Sequence, residues 1–246
     1  MFDYLIIGGG IAGISAAARL SEHGATLVLE AEAHLAYHTS GRSAALYEQN
    51  YGSPSTVALA KAARTDFDGM LSGVLSPRGF LLVCLQGEEA QFEYDLEHMH
   101  LSEVAVADAA KLVPILDSSS VIRTASSATA RDIDTDMMLQ IFARRIHANG
   151  GTVATNQQVT AIDKTKQSWR VTTVSGQYEA QKIVNAAGAW GDEIAQLAGL
   201  PKIGLTPFRR SVARLSAPGG QAVQGWPMLF GPGERWYAKP DAGSLI

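Results

Sequence analysis

Two features near the N-terminus have the residue types and spacing to hold a ligand. Gly8-Gly9-Gly10-Ile11-Ala12-Gly13 satisfies GxGxxG, and Glu30 follows about twenty residues downstream. Gly8 permits a tight turn, Gly10 lets the backbone approach a pyrophosphate, and Gly13 lets a helix pack closely on a strand. The free N–H groups at the start of that helix then face the phosphates, and the helix dipole favours their charge. At the end of the next strand, Glu30 is placed to meet the ribose. A carboxylate there accepts ribose hydroxyls and repels a 2′-phosphate. FAD and NAD share this opening, so these residues alone leave both open.

The flanking elements suit this role. Residues 3–7 form an apolar run typical of a strand covered on both faces. Ile14 to His23 is rich in helix formers and ends at Gly24, and residues 26–30 form a second apolar strand. Together they predict a right-handed βαβ unit. Residues 35–54 lack periodicity and read as an extended loop of the kind that carries function. Helices are expected over 54–71, 88–100 and 107–112, with a strand at 79–85. A strongly amphipathic helix is expected over 136–148, burying Leu139, Phe142, Ala143 and Ile146 and stopped by Gly150-Gly151. Strands follow near Val153 and over 159–163 and 169–174. After a Ser175-Gly176 turn, a return strand beginning at Tyr178 runs into residues 183–188. A helix over 192–198 comes next, and then a tail with Arg209-Arg210 and a strand-like Trp236-Tyr237-Ala238.

Composition narrows the classes further. The 246 residues are 46% apolar and 18% charged, with a formal charge of −4 and no basic block. Nucleic acid or an anionic lipid surface is therefore not an expected partner. The single cysteine, Cys84, lies in an apolar strand and reads as a core thiol. Neither a CxxC motif nor a third ligand near His34 and His38 supports a metal site. The apolar N-terminus lacks the preceding positive charge of a signal peptide, and no stretch approaches a spanning helix, so a cytoplasmic protein is expected.

Longer segments carry a family resemblance. Residues 37–45 (Tyr-His-Thr-Ser-Gly-Arg-Ser-Ala-Ala) resemble the flavin-approach loop of the D-amino acid oxidase superfamily, and residues 184–190 (Val-Asn-Ala-Ala-Gly-Ala-Trp) resemble its second flavin-contact strand. Residues 132–136, Arg209-Arg210-Ser211, Trp226-Pro227-Met228-Leu229 and residues 239–243 are similar to the bacterial D-amino acid dehydrogenase branch, D-arginine dehydrogenase in particular. The resemblance covers nearly the whole chain, in order.

It implies an α/β fold. A Rossmann-like FAD-binding domain (1–75 and 132–199) would be interleaved with an α+β substrate domain (76–131 and 200–246). It implies FAD, held by Gly8, Gly10, Ile11, Ala12, Gly13, Glu30 and Ala31, by Ser40, Gly41, Arg42, Ser43 and Ala44 of the loop, by the backbone near Val159, and by Ala187 and Gly188. Small residues on that last strand let a flat ring approach the backbone. It also implies hydride transfer from Cα of a D-amino acid to flavin N5, followed by imine hydrolysis to a 2-keto acid. Arg210 would hold the substrate carboxylate. Tyr51, Tyr237, Met228 and Phe80 would line the pocket, with Phe230 a further wall position.

Two departures stand out. After Ser76-Pro77-Arg78, where D-arginine dehydrogenase supplies an acid to the substrate guanidinium, this chain has Phe80. An unpaired desolvated cation costs several kcal/mol, which predicts apolar or aromatic D-amino acids over D-arginine. Leu46 replaces a histidine near the flavin. Family members also continue on the order of a hundred residues further, so the resemblance implies a truncated chain. A catalytically inactive nucleotide-binding fragment and an NAD-dependent dehydrogenase are the alternative readings. The electron acceptor, oxygen or a respiratory partner, stays open.

Overall fold

In the computed structural model, which describes residues 1–246, the first apolar run forms β1 (Phe2–Ile7), the glycine turn opens α1 (Ile11–Leu20), and β2 (Thr26–Leu29) follows. Helix α1 begins at Ile11 rather than Ile14 because Gly10, in extended conformation, acts as its N-cap. The chain then passes through β3 (Leu46–Tyr47), α2 (Pro54–Asp68), β4 (Leu75–Pro77), β5 (Phe80–Leu85), α3 (Glu89–His98), β6 (Ser102–Val104), α4 (Val106–Leu112), β7 (Val121–Ser127) and β8 (Arg131–Ile133). It continues into α5 (Thr135–Ala148), β9 (Thr152–Ala154), β10 (Val159–Lys164), β11 (Trp169–Thr173), β12 (Gln177–Asn185) and α6 (Gly191–Leu197). The last stretch adds β13 (Leu215–Ser216), β14 (Met228–Phe230), β15 (Tyr237–Ala238), β16 (Pro240–Asp241) and β17 (Ser244–Leu245). No helix is long and apolar enough to cross a membrane.

Two compact units share the chain: residues 1–43 with 135–209, and residues 44–134 with 210–246. The expected boundary at residue 75 is moved to Ser43. Strand β3 pairs with β8 at Leu46↔Asp132, and the Tyr47 hydroxyl donates to the Ala60 carbonyl, so residues 44–75 are built into the second unit. Residues 200–209 belong instead to the first unit. There the Asp192 carboxylate accepts the backbone N–H groups of Ile203, Gly204 and Leu205.

The first unit is built on a six-stranded sheet, β10-β11-β12-β1-β2-β9. Strands β12, β1, β2 and β9 run parallel, and β10 and β11 complete an antiparallel meander with β12. Residues Leu5, Ile6, Leu27 and Val28 are all but completely buried, as strands covered on both faces require. On α5 the buried stripe is Met138, Leu139, Phe142 and Ile146, with Ala143 half-buried beside it.

In the second unit the main sheet is β15-β14-β5-β7-β6, with β5 at its centre. Strand β5 reads as a continuous apolar run because β14 and β7 flank it and two clusters cover its faces. Leu81 and Val83 point to one face, and Phe80, Leu82 and Cys84 to the other. Strands β6 and β7 were not expected from the sequence. Their alternation is obscured by Ser and Thr at positions where one face is half-exposed.

Candidate cofactor and substrate sites

The glycine turn is held against the end of β12. Gly8 has φ of 115°, and a Cβ placed on it would lie 2.3 Å from the Ala186 carbonyl oxygen. Gly13 abuts the strand below the helix, where a Cβ would lie 1.9 Å from the Gly8 carbonyl oxygen. β1 and β12 run side by side, with Ile7 opposite Asn185 and the Ala186 N–H donating to the Ile7 carbonyl. The small-residue segment 186–188 and the turn therefore form one rim. Helix α1 has no side-chain cap. Ser40 Oγ accepts the Ile11 N–H at 3.0 Å, while the N–H groups of Ala12 and Gly13 keep the unpaired state of a helix's first turn. These are the donors an anion would take.

Beneath the rim is a cavity of about 440 Å³, within the ~300–1,000 Å³ of small-molecule sites. Glu30 is buried in its wall. One carboxylate oxygen accepts the Gly9 N–H at 2.6 Å and the other the Glu32 N–H at 2.8 Å. These bonds fix the carboxylate, and each oxygen retains a lone pair for a ribose hydroxyl. The sequence-predicted Gly8, Gly10, Ala31 and Ser40 line this cavity, as do Val159, Ala187 and Gly188. Gly41, Arg42 and Ser43 do not. Arg42 Nε donates to the Tyr37 carbonyl and its guanidinium lies 5.5 Å from that ring's centre, so the loop is folded back on itself here. Gly41 is spent on the same fold, donating its N–H to the Ala36 carbonyl. Ala44 lies in the second unit.

Among the cavity residues not predicted as ligand contacts are His38, Gln157 and Trp190. His38 lies 2.9 Å from Glu32 Oε1, and its ring centre lies 4.7 Å from that of Trp190. Gln157 donates its backbone N–H to the Glu30 carbonyl, and its side-chain carbonyl accepts from Thr173 and Tyr178. Trp190 sits inside a motif that was recognised, but nothing in its residue type marked it as cavity wall.

An adenine dinucleotide suits this arrangement: unpaired helix-start donors for the pyrophosphate, a fixed carboxylate for the ribose, and a small-residue rim for a flat ring. The chain matches the family described as FAD dependent oxidoreductase over residues 3–246. The chain belongs to that family. FAD is accordingly its cofactor, not NAD.

Solved structures agree on the fold. The L-alpha-glycerophosphate oxidase of Mycoplasma pneumoniae superposes with a TM-score of 0.83 at 18% identity, covering 99% of this chain and 70% of that one. Glycine oxidase from Geobacillus kaustophilus gives 0.80 at 18%, covering 100% and 70%. L-proline dehydrogenase from P. horikoshii gives 0.78 at 19%, covering 99% and 68%. The α/β fold expected from the sequence is thus the fold of this FAD-dependent oxidoreductase family.

Within the second unit, the sequence-predicted substrate residues gather around Phe230. Its ring centre lies 5.1 Å from that of Phe80 and 6.3 Å from that of Tyr51, the latter edge-on. Met228 pairs in register with Phe80, and Tyr237 with Phe230. Phe80 and Met228, only 2% and 7% exposed, are core side chains of the sheet. Arg210 is on no strand; residues 201–214 form no regular element and the side chain is 73% exposed.

The residue that ties Arg210 to this cluster is Glu234, which the sequence reading missed. Arg210 Nη2 lies 3.6 Å from Glu234 Oε2. Burial first, then the same Glu234 carboxylate, push the Tyr51 hydroxyl well above its ordinary range. Glu234 sits at φ of 60° in a turn held by Asp95, whose carboxylate accepts the Gly233 N–H at 2.8 Å. Glu48 lies beside Ser127, Phe80's strand partner, and its oxygens are taken up by the Asn50 N–H and the Ser127 and Thr129 hydroxyls. Cys84 is fully buried, and burial pushes its thiol up, away from nucleophilic use.

Proposed function

We propose that this chain oxidises the Cα–N bond of a D-amino acid, favouring apolar or aromatic side chains over D-arginine. The observation that carries the reading is the convergence of Arg210 and Tyr51 on one carboxylate, that of Glu234. A guanidinium and a phenol that converge on an internal carboxylate have the geometry to hold a substrate's. The neighbouring wall is aromatic, Tyr51 standing partly exposed with the buried rings of Phe230 and Phe80 behind it. It offers a side chain dispersion and apolar burial. Proteins of this fold that are by name a glycine oxidase and an L-proline dehydrogenase support amino acids as the substrate class.

FAD, when bound, supplies the hydride acceptor. The chain's own residues do the rest. Arg210 and Tyr51 fix the carboxylate and with it the direction of the Cα–H bond, and the aromatic wall excludes water from the side chain. A raised hydroxyl keeps Tyr51 protonated as a donor across the working pH range.

The test is anaerobic mixing of the FAD-loaded protein with D-methionine, D-phenylalanine, D-arginine, L-methionine and glycine, followed by flavin absorbance. Reduction fastest with D-methionine or D-phenylalanine is expected. Faster reduction by D-arginine rejects the side-chain preference, and reduction only by the L-enantiomer or glycine rejects the stereochemistry.

A further inference from the structure

Gln157, just before β10 in the first unit, is tied down on one side of its amide only. Its Oε1 accepts the Thr173 hydroxyl at 2.8 Å and the Tyr178 hydroxyl at 3.1 Å. Which way round the amide sits follows from what Thr173 already does. That hydroxyl accepts the N–H groups of Ser175 and Gly176, each at 3.2 Å, which takes up both of its lone pairs. Its single proton is left to donate. Gln157 Oε1 is nearer than the Gly176 carbonyl at 3.2 Å, which the Thr173 N–H serves at 2.8 Å. The amide therefore keeps its oxygen towards β11 and β12. With two hydroxyls donating to that oxygen, Gln157 has no acceptor left.

The two N–H groups on Nε2 are the part without a partner. They are bonded to nothing and yet not shut away from solvent. Gln157 lines the cofactor cavity, and its backbone N–H donates to the Glu30 carbonyl at 2.8 Å. The side chain thus starts one hydrogen bond away from the residue set to take the ribose. Val159 and Ile194, packed in one apolar cluster, line the same cavity. A group attached to that ribose meets apolar side chains for its faces and an amide donor for its edge. In FAD that group is adenine, a flat ring whose bare ring nitrogens accept and whose amino group donates.

We propose that Gln157 reads the base of FAD: its amide donates to an adenine ring nitrogen and has nothing to offer the amino group. Thr173 and Tyr178 are positioning residues that act through it by holding the amide one way round. The inference rests on FAD occupying this cavity with its adenosine ribose at Glu30, and it is independent of which amine is oxidised.

The experiment compares wild type, Gln157→Met and Gln157→Glu. FAD affinity is measured by titrating apoprotein and following flavin fluorescence. ADP and its 1-deaza, 3-deaza and 7-deaza analogues, each with one ring nitrogen replaced by C–H, then compete with FAD. Gln157→Met is expected to weaken FAD and ADP about three- to tenfold, the size of one neutral hydrogen bond. Gln157→Glu still gives both hydroxyls an oxygen but exchanges the donors for a charged acceptor, and should weaken them at least about tenfold. In wild type one analogue should bind about three- to tenfold more weakly than ADP through loss of this contact. In Gln157→Met that analogue and ADP should bind alike. Unchanged affinity in Gln157→Met overturns the proposal. So does a loss in which each analogue is penalised in the variant as it is in wild type, since Gln157 is then cavity wall and not a reader of the base. Should Gln157→Met not fold, the same competition on Gln157→Glu decides. In every case the amine-oxidation reading stands, because flavin reduction by wild type is measured separately.

Discussion

Gly8 and Ala186 meet backbone to backbone: a Cβ on Gly8 would lie 2.3 Å from the Ala186 carbonyl oxygen, at a φ of 115°. This contact welds the glycine turn to the small-residue rim, so both halves of the cofactor cavity depend on a hydrogen atom at that position. Gly8→Ala must therefore push β12 away or abandon the turn. The expected outcome is a colourless protein on purification, with a stability loss of at least ~1–3 kcal/mol from the strained backbone alone. Flavin absorbance per chain and thermal unfolding check this. A yellow, fully stable variant would count against the geometry of the whole cavity.

Glu30 holds the turn from the other side, through the Gly9 and Glu32 N–H groups. In Glu30→Gln one of those N–H groups faces an amide nitrogen, and the charged acceptor is lost. FAD affinity should fall about ten- to a hundredfold, as for removal of a charge-assisted hydrogen bond. Titration of the apoprotein with FAD gives the number. Affinity within twofold of wild type would remove Glu30 from cofactor binding.

What could be read from the sequence follows from how local each signal is. The βαβ opening was legible because GxGxxG, its flanking apolar strands and Glu30 lie within thirty residues, and each demands a particular backbone. α5 was legible because its stripe repeats every three to four residues. β6 and β7 were not, because β7 is placed by pairing with β5 and β6 by pairing with β7, and a strand with Ser and Thr on a half-exposed face has no period of its own. Glu234 was invisible for a related reason. It lies 24 residues beyond Arg210 and far from Tyr51 in the chain, and only the turn held by Asp95 brings it between them. His38 and Gln157 likewise take their place through contacts with Glu32 and Glu30, which no spacing rule encodes.

Phe80 and Tyr51 flank Phe230 but differ in burial, 2% against 37% exposed. The difference predicts opposite mutational signatures. Phe80→Ala should cost about 3–5 kcal/mol by opening a cavity in a packed core. Tyr51→Phe should cost about 1 kcal/mol or less, since it removes one hydroxyl, and should act instead on substrate KM. Denaturant unfolding and steady-state kinetics separate the two. Comparable stability losses at both positions would mean that Tyr51 is a structural residue and not a substrate ligand.

The Tyr51 hydroxyl is raised by burial first and then by the Glu234 carboxylate. Its folded value lies above the unfolded value near 10. Whatever stability this shift contributes is therefore fully present below about pH 10 and is lost as pH climbs through the folded value. Glu234→Gln removes the charge, so the phenol should titrate earlier than in wild type, while burial still holds it above the ordinary range. The same substitution frees Arg210 from an exposed pair worth ~0–1 kcal/mol, so overall stability at neutral pH should barely change. With the internal carboxylate's charge gone, substrate KM should fall by up to about fivefold, the equivalent of that energy. Ultraviolet titration of wild type, Glu234→Gln and Tyr51→Phe isolates the one phenol among seven tyrosines. A Glu234→Gln protein whose late-titrating step coincides with wild type, and whose KM is unmoved, would show that Glu234 neither holds Tyr51 nor stands in for a substrate carboxylate.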